Sequence, residues 1–103
     1  MRAMRYLIFD FSDGDDGIAT LEAMASTRAA EHAAVLAEAR QVLDWAQAHF
    51  PGRQGPVEDG NAWDHELLVQ QEEGGWLTVT LTLSASPEFL AAFLEVYDEI
   101  DDD

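Results

Sequence analysis

The most regular hydrophobic pattern in the chain is a strict alternation over residues 76–84. One set of alternate positions is apolar and the other is polar: Leu77, Val79, Leu81 and Leu83 against Thr78, Thr80, Thr82 and Ser84. A two-residue period is typical of a β-strand with one buried face and one solvent-exposed face. Residues 63–71 predict a partner strand, because Gly74 and Gly75 between the two segments favour a tight hairpin turn.

The first part of the chain shows the same arrangement less clearly. Residues 5–11 predict a strand with Leu7, Phe9 and Phe11 on one face, and the Asp- and Gly-rich residues 12–17 predict a turn. Residues 18–25 also alternate, although their alanines favour a helix. A second pair of strands is therefore expected here.

Each pair of strands is followed by a segment with helical spacing. From a cap at Ser26 or Thr27, one apolar stripe extends to residue 50, where Pro51 follows: Leu36, Ala39, Leu43, Ala46 and Phe50. The final helix is expected to begin after Ser86, with Pro87 at its first position. Its predicted core face consists of Phe89, Leu90, Phe93, Val96, Tyr97 and Ile100.

Together these elements predict an α+β fold with the order ββαββα, in a single domain over residues 1–103. Its two halves, residues 1–50 and 62–100, are related by pattern and joined by a connector at residues 51–61. Each helix has one apolar stripe and each strand one apolar face, so both helices should cover one face of a four-stranded antiparallel sheet. The acidic residues 98–103 oppose the dipole of the last helix and are expected to fray.

The sheet face opposite the helices is the most promising surface for function. The apolar residues expected there are Tyr6, Ile8, Ile18, Met24, Leu68 and Trp76. Such a patch indicates an interface, either a homodimer or a complex with another protein, whereas the alternative is scattered exposure partly covered by the connector. Trp45, opposite Leu43 on the first helix, either anchors an interface or packs against the connector.

Charge restricts the choice of partner. The chain has 21 acidic and 5 basic residues, a net charge of -16, and its basic residues are scattered arginines. Direct nucleic-acid binding is not expected, because phosphate contacts require clustered Lys and Arg. A basic protein or a cation suits this charge, and solubility alone also explains it. With no bilayer-length apolar run and no cysteine, we expect a cytoplasmic protein that does not bind membranes.

The acidic turn and the strand before it carry two candidate motifs. Residues 6–14 resemble the first motif of haloacid-dehalogenase-type phosphatases, an apolar strand ending in two carboxylates. In that family the carboxylates are two residues apart, whereas Asp10 and Asp13 are three apart, so no phosphatase activity is assigned. Asp13, Asp15 and Asp16 are candidate ligands for Ca²⁺ or Mg²⁺, but their spacing does not fit an EF-hand loop, and an ordinary acidic turn is the alternative.

The histidines do not form a recognisable site. His32 and His49 are too far apart on one predicted helix to share a metal, and His65 lies between acids that point to the opposite strand face. The sequence has no nucleophilic triad, phosphate-binding glycine loop or zinc spacing. We therefore expect a non-catalytic interaction module without a cofactor, which masks a basic partner as an antitoxin or immunity protein does. The alternative is a regulatory domain that binds a small ligand or a divalent cation.

Overall fold

The computed structural model of the chain describes residues 5–14 and 17–97. Six main elements follow one another: β1 (Phe9–Asp13), β2 (Ala19–Arg28), α1 (Ala29–His49), β3 (Trp63–Glu72), β4 (Trp76–Ala85) and α2 (Pro87–Val96). Short 3-10 turns lie at Val57–Asp59 and Glu73–Gly75. The predicted ββαββα order and α+β class are confirmed.

The four strands form one antiparallel sheet in the order β1-β2-β4-β3. The two hairpins place β1 and β3 at the edges, and β2 pairs with β4 in the centre over the full length of both strands, from Ala19↔Ala85 to Arg28↔Trp76. Gly74 and Gly75 have φ angles of 80° and 83° in the β3–β4 turn, a conformation that glycine adopts without strain. The central β2–β4 pair joins the two halves of the chain.

The odd-numbered strand positions face the helices and form the core. On the central strands these are Ala19, Leu21, Ala23 and Ala25 of β2 and Val79, Leu81, Leu83 and Ala85 of β4, all buried. Both helices pack on this face, which confirms the prediction that the opposite face is uncovered by helix. The even-numbered positions therefore form a second sheet face, called here the open face.

Helix α1 begins later than the sequence predicted. A cap at Ser26 or Thr27 was the wrong expectation, because β2 continues through Arg28, which is paired with Trp76 of β4. The Ser26 hydroxyl instead lies 2.6 Å from the Thr78 hydroxyl, within the sheet. Arg28 occupies the N-cap position of α1 without a side-chain capping bond. The strand therefore leads directly into the helix.

The buried face of α1 overlaps the predicted stripe in part, since Ala39, Ala46 and Phe50 are buried. The buried residues are Val35, Ala39, Val42, Trp45 and Ala46, while Leu36 and Leu43 are only partly buried. Trp45 is only 7% exposed. Its ring packs against rings of α2 and the residue after it, at centroid distances of 5.5 Å to Phe89, 6.0 Å to Phe93 and 5.8 Å to Tyr97. Contact with α2 thus widens the buried face of α1.

Helix α2 follows the sequence prediction more closely. The Ser86 hydroxyl accepts a hydrogen bond from the Phe89 backbone N–H at 3.2 Å, and Pro87 is the first helical residue. Phe89, Phe93 and Tyr97 are buried, whereas Ile100 lies outside the described residues. The expected fraying of residues 98–103 likewise concerns a segment that is not described. Neither described helix is long and apolar enough to cross a membrane.

Candidate functional site

One row of side chains across the open face has exposed apolar residues on both sides of Thr80 in β4. Met24 of β2 and Leu68 of β3 are both paired with Thr80 of β4. Ile8 immediately precedes β1, and continuing the register by one step beyond the Phe9↔Ala23 pair would bring it opposite Met24. Ile8, Met24 and Leu68 are 63%, 60% and 46% exposed, so the connector does not cover them. We call Ile8, Met24 and Leu68 the apolar row.

A row of carboxylates lies next to the apolar row. Asp10 of β1 is paired with Glu22 of β2, and Glu22 and Glu66 are both paired with Thr82 of β4. All three acids are exposed. Residues two apart on a strand project from the same face about 6.6 Å apart, so these carboxylates flank the apolar side chains directly. We call Asp10, Glu22 and Glu66 the acidic row.

The far end of the open face is organised around Trp76. The Arg28 guanidinium lies 4.5 Å from the centre of the Trp76 ring, and its Nη1 donates to the Gly74 carbonyl at 3.0 Å. Beneath them Thr78 is buried and its hydroxyl donates to Glu72 Oε2 at 3.1 Å. Trp76 remains 40% exposed. It therefore presents a large apolar ring whose orientation is already fixed.

The structure separates the predicted interface residues into two groups. Ile8, Met24, Leu68 and Trp76 lie on the open face and are exposed. Tyr6 is partly buried and packs against the core, and Ile18, also partly buried, precedes β2. Trp45 packs against α2 in the core rather than against the connector, so we remove it from the candidate interface. Four of the predicted residues thus share one surface.

The candidate cation loop is described only in part. Asp13 is exposed at the end of β1, and Asp15 and Asp16 lie outside the described residues. Asp10 and Asp13 differ by an odd number of positions on one strand, so they project from opposite faces of the sheet. Within residues 5–14 and 17–97, no group of three or more His, Asp and Glu side chains is arranged to hold a metal ion.

Two of the three histidines stack on tryptophan rings, and the third lies elsewhere on α1. The His49 ring stacks on Trp45 at 5.0 Å between centroids, and its Nδ1 lies 3.0 Å from the Trp45 carbonyl oxygen. His65 stacks on Trp63 at 5.7 Å, with Nδ1 3.2 Å from Nε2 of Gln54. His32 lies near the start of α1. The three imidazoles therefore occupy separate structural environments.

A cleft of about 660 Å³ lies at the end of the sheet near the first turn. The connector and the start of α2 line it, and the charged side chains in its wall are Arg53, Glu58 and Glu88. Among the lining residues that the structure describes, two carboxylates and one guanidinium give the cleft mixed charge. This cleft offers no arrangement of groups that indicates a particular ligand.

Sequence reasoning did not identify two features near the open face. Leu67 and Val69 of β3 face the helix side but remain 40% and 45% exposed, because the helices do not extend over this part of the edge strand. The continuous run Leu67, Leu68 and Val69 was the available signal, since three consecutive apolar residues cannot all face the core of a one-sided sheet. On the other edge, Phe11 is similarly 44% exposed.

Comparison with known proteins does not add an assignment. No family model, curated protein or solved structure matches the chain.

Proposed function

We propose that this protein is a non-catalytic interaction module that binds a basic protein through the open face. The observation that carries the proposal is the direct adjacency of the apolar row and the acidic row on an uncovered sheet face. Interfaces generally combine a desolvated apolar centre with a polar rim. The expected partner surface has apolar side chains flanked by Lys or Arg.

The energetic contributions of the two rows differ. Burying each side chain of the apolar row contributes about 1 to 2 kcal/mol, because each is already partly covered in the free protein. The carboxylates contribute less to affinity but accelerate association with a cationic partner and disfavour acidic competitors. The net charge of -16 also attracts a cationic partner, and over a longer distance than the carboxylates of the acidic row. A protein of this kind would mask a basic surface, as antitoxin and immunity proteins do.

The test compares three immobilised baits in a lysate of the source cell. One is the unaltered chain, one carries Met24→Asp and Leu68→Asp, and the matched control carries Ala33→Asp and Ala37→Asp on the exposed side of α1. Both variants add the same charge at exposed positions, so the fold should persist and circular dichroism checks this. Bound proteins are identified by mass spectrometry and eluted with increasing NaCl.

We expect the unaltered chain and the α1 variant to retain the same basic protein, and the open-face variant to lose it. Elution should occur by about 0.5 M NaCl, where electrostatic interactions extend only a few ångströms. Equal retention by all three baits would show that the open face is not the binding surface. Retention of acidic or neutral proteins alone would contradict the predicted partner chemistry.

A further inference from the structure

The outer edge of β3 is an exposed strand edge of unusual composition. The strand has ten residues, its one-to-one register with β4 contains no bulge, and it includes neither Pro nor Lys. Short length, bulges, proline and charged side chains, lysine above all, are the common devices by which proteins prevent strand edges from pairing. The charged residues of β3, Asp64, Glu66 and Glu72, lie on either side of an uncharged segment at residues 67–71. In addition, Leu67, Leu68 and Val69 expose apolar side chains on both faces of the sheet.

The connector identifies which main-chain groups of β3 point outwards. The Gly55 N–H donates to the Trp63 carbonyl at 2.9 Å, and the Trp63 N–H donates to the Arg53 carbonyl at 3.4 Å. Because these groups alternate along an antiparallel strand, the main-chain groups of Leu67 and Val69 also point away from β4. No residue in the described part of the chain forms a hydrogen bond to those outer groups.

We propose that β3 pairs antiparallel with β3 of a second copy of the chain, with Leu68 on the two-fold axis. In this register Leu68 faces Leu68, Leu67 faces Val69, and Glu66 faces Gln70, so apolar side chains meet apolar ones on both faces. Leu67 and Val69 exchange main-chain hydrogen bonds. Two sheets become one continuous sheet, with the helices of both copies on the same side.

Neighbouring symmetric registers are less favourable. Centring the pair on Val69 places Leu68 opposite Gln70 and Glu66 opposite Glu72, and centring it on Leu67 places Leu68 opposite Glu66. The Leu68-centred register also contains one like-charge pair, Asp64 opposite Glu72, but it lies at the ends of the paired segment, four residues from the axis. Residues 67–71 carry no charge, which is notable in a chain with a net charge of -16. The middle of the paired segment, residues 67–69 of both copies, is therefore uncharged, while the remaining charge of the two copies opposes association and is screened by salt.

This dimer uses the strand edge and leaves Ile8 and Met24 of the open face accessible, while Leu68 belongs to both surfaces. Val69→Lys, which changes the edge and not the apolar row, distinguishes the dimer from the proposed binding of a basic protein. The two also respond oppositely to salt. NaCl should strengthen pairing of two acidic chains and weaken binding of a basic partner. The salt dependence therefore shows which proposal has failed: the dimer proposal if association does not increase with NaCl, or the partner proposal if no bound protein is released by NaCl.

Introduced cysteines test the register directly, because the chain has no cysteine of its own. Leu68↔Leu68 would be a non-hydrogen-bonded pair, whose Cα atoms lie about 4.5 Å apart, within the range of a disulfide. Leu68→Cys should therefore form a covalent dimer rapidly under mild oxidation. Met24→Cys is the matched control: it is on the same face and more exposed, but in the dimer the two copies would be separated by five strand spacings, about 24 Å.

Sedimentation velocity tests association without cross-linking. We expect a concentration-dependent dimer that strengthens with NaCl, that Val69→Lys abolishes, and that Phe11→Lys on the opposite edge strand preserves. The two substituted residues are 45% and 44% exposed, so both variants should remain folded. A monomer at every salt and protein concentration, or equal oxidation rates for Leu68→Cys and Met24→Cys, would overturn the proposal.

Discussion

Trp45 is surrounded by aromatic rings from both halves of the chain. Besides Phe89 and Phe93 of α2 and Tyr97, Phe50 lies near it, 6.3 Å away between ring centroids. Such edge-to-face and stacked contacts add to the free energy gained by burying a large apolar side chain. A residue that the helical pattern placed opposite the predicted apolar stripe is therefore central to the packing of α1 against α2.

Truncating Trp45 should strongly destabilise the protein. Trp45→Ala is expected to lower the free energy of unfolding by about 3 to 5 kcal/mol, because it leaves a cavity in the aromatic cluster. Trp45→Phe, which retains a ring, should lose less, and Trp76→Ala on the open face should lose the least. Urea denaturation measures all three. If Trp45→Ala and Trp76→Ala were equally destabilising, the described packing of Trp45 would be wrong.

Glu38 connects a helix to the segment that leads into β1. Its Oε2 accepts a hydrogen bond from the Arg5 N–H at 2.8 Å, and its Oε1 accepts from the N–H groups of Tyr6 and Leu7, each at 3.0 Å. These residues precede β1, so no sheet partner satisfies their N–H groups in the described structure. One carboxylate on α1 therefore attaches this segment to the helix layer.

Removing the Glu38 carboxylate should release this segment locally. Glu38→Ala is expected to lower the free energy of unfolding by about 1 to 2 kcal/mol, since charge-assisted hydrogen bonds are strong but this group is partly solvated. Hydrogen exchange should accelerate at the amides of residues 5–7 while those of α1 remain protected. Glu38→Gln, which keeps one acceptor oxygen, should have a smaller effect. Glu31→Gln, in the first turn of the same helix, serves as the control and should leave residues 5–7 unchanged.

The elements differ in how well the sequence specifies them. The β3–β4 hairpin and the start of α2 follow from local signals: alternation along β4, glycines in the turn, and the Ser86 cap with Pro87. The buried face of α1 does not, because its many alanines are compatible with burial or exposure. Its orientation depends on where α2 packs, which is a contact distant in sequence.

The candidate site likewise combines features set by local sequence pattern with features set by contacts distant in sequence. Alternation predicted that Ile8, Met24, Leu68 and Trp76 share the open face, and they are exposed, since a side chain's face follows from its position in a strand. It predicted the same for Tyr6 and Ile18, which are partly buried and precede the strands. The adjacency of the apolar and acidic rows depends on register between strands, and in particular on the β2–β4 pairing. Glu38 was likewise indistinguishable from a solvated helix acid until its long-range contacts were known.

At the scale of the whole molecule, the net charge of -16 should make stability depend on ionic strength. Screening reduces repulsion more in the compact state than in the unfolded chain, so NaCl should raise the free energy of unfolding by about 1 kcal/mol. The measurement is best made by urea denaturation on Val69→Lys, so that dimer formation does not contribute. No gain in stability between low and high NaCl would contradict this expectation.

A comparison with MgCl₂ separates screening from cation binding. At equal ionic strength both salts should stabilise the chain similarly if the acids act only through their summed field. An additional gain with MgCl₂ that Asp15→Ala removes would instead support a cation site in the first turn, because specific binding stabilises the folded state by mass action.

The central pairing of β2 with β4 also affects how the protein folds while it is being synthesised. When the first half leaves the ribosome, β2 has only the short β1 beside it, and a lone hairpin is marginally stable in water. Its lasting neighbour is β4, which is synthesised after α1, the connector and β3. Until β4 is made, only α1 can cover the apolar side of the first hairpin, and the inner edge of β2 has no paired strand, so chaperones have access to this half during much of translation. Folding is completed only when the last strand joins the middle of the sheet.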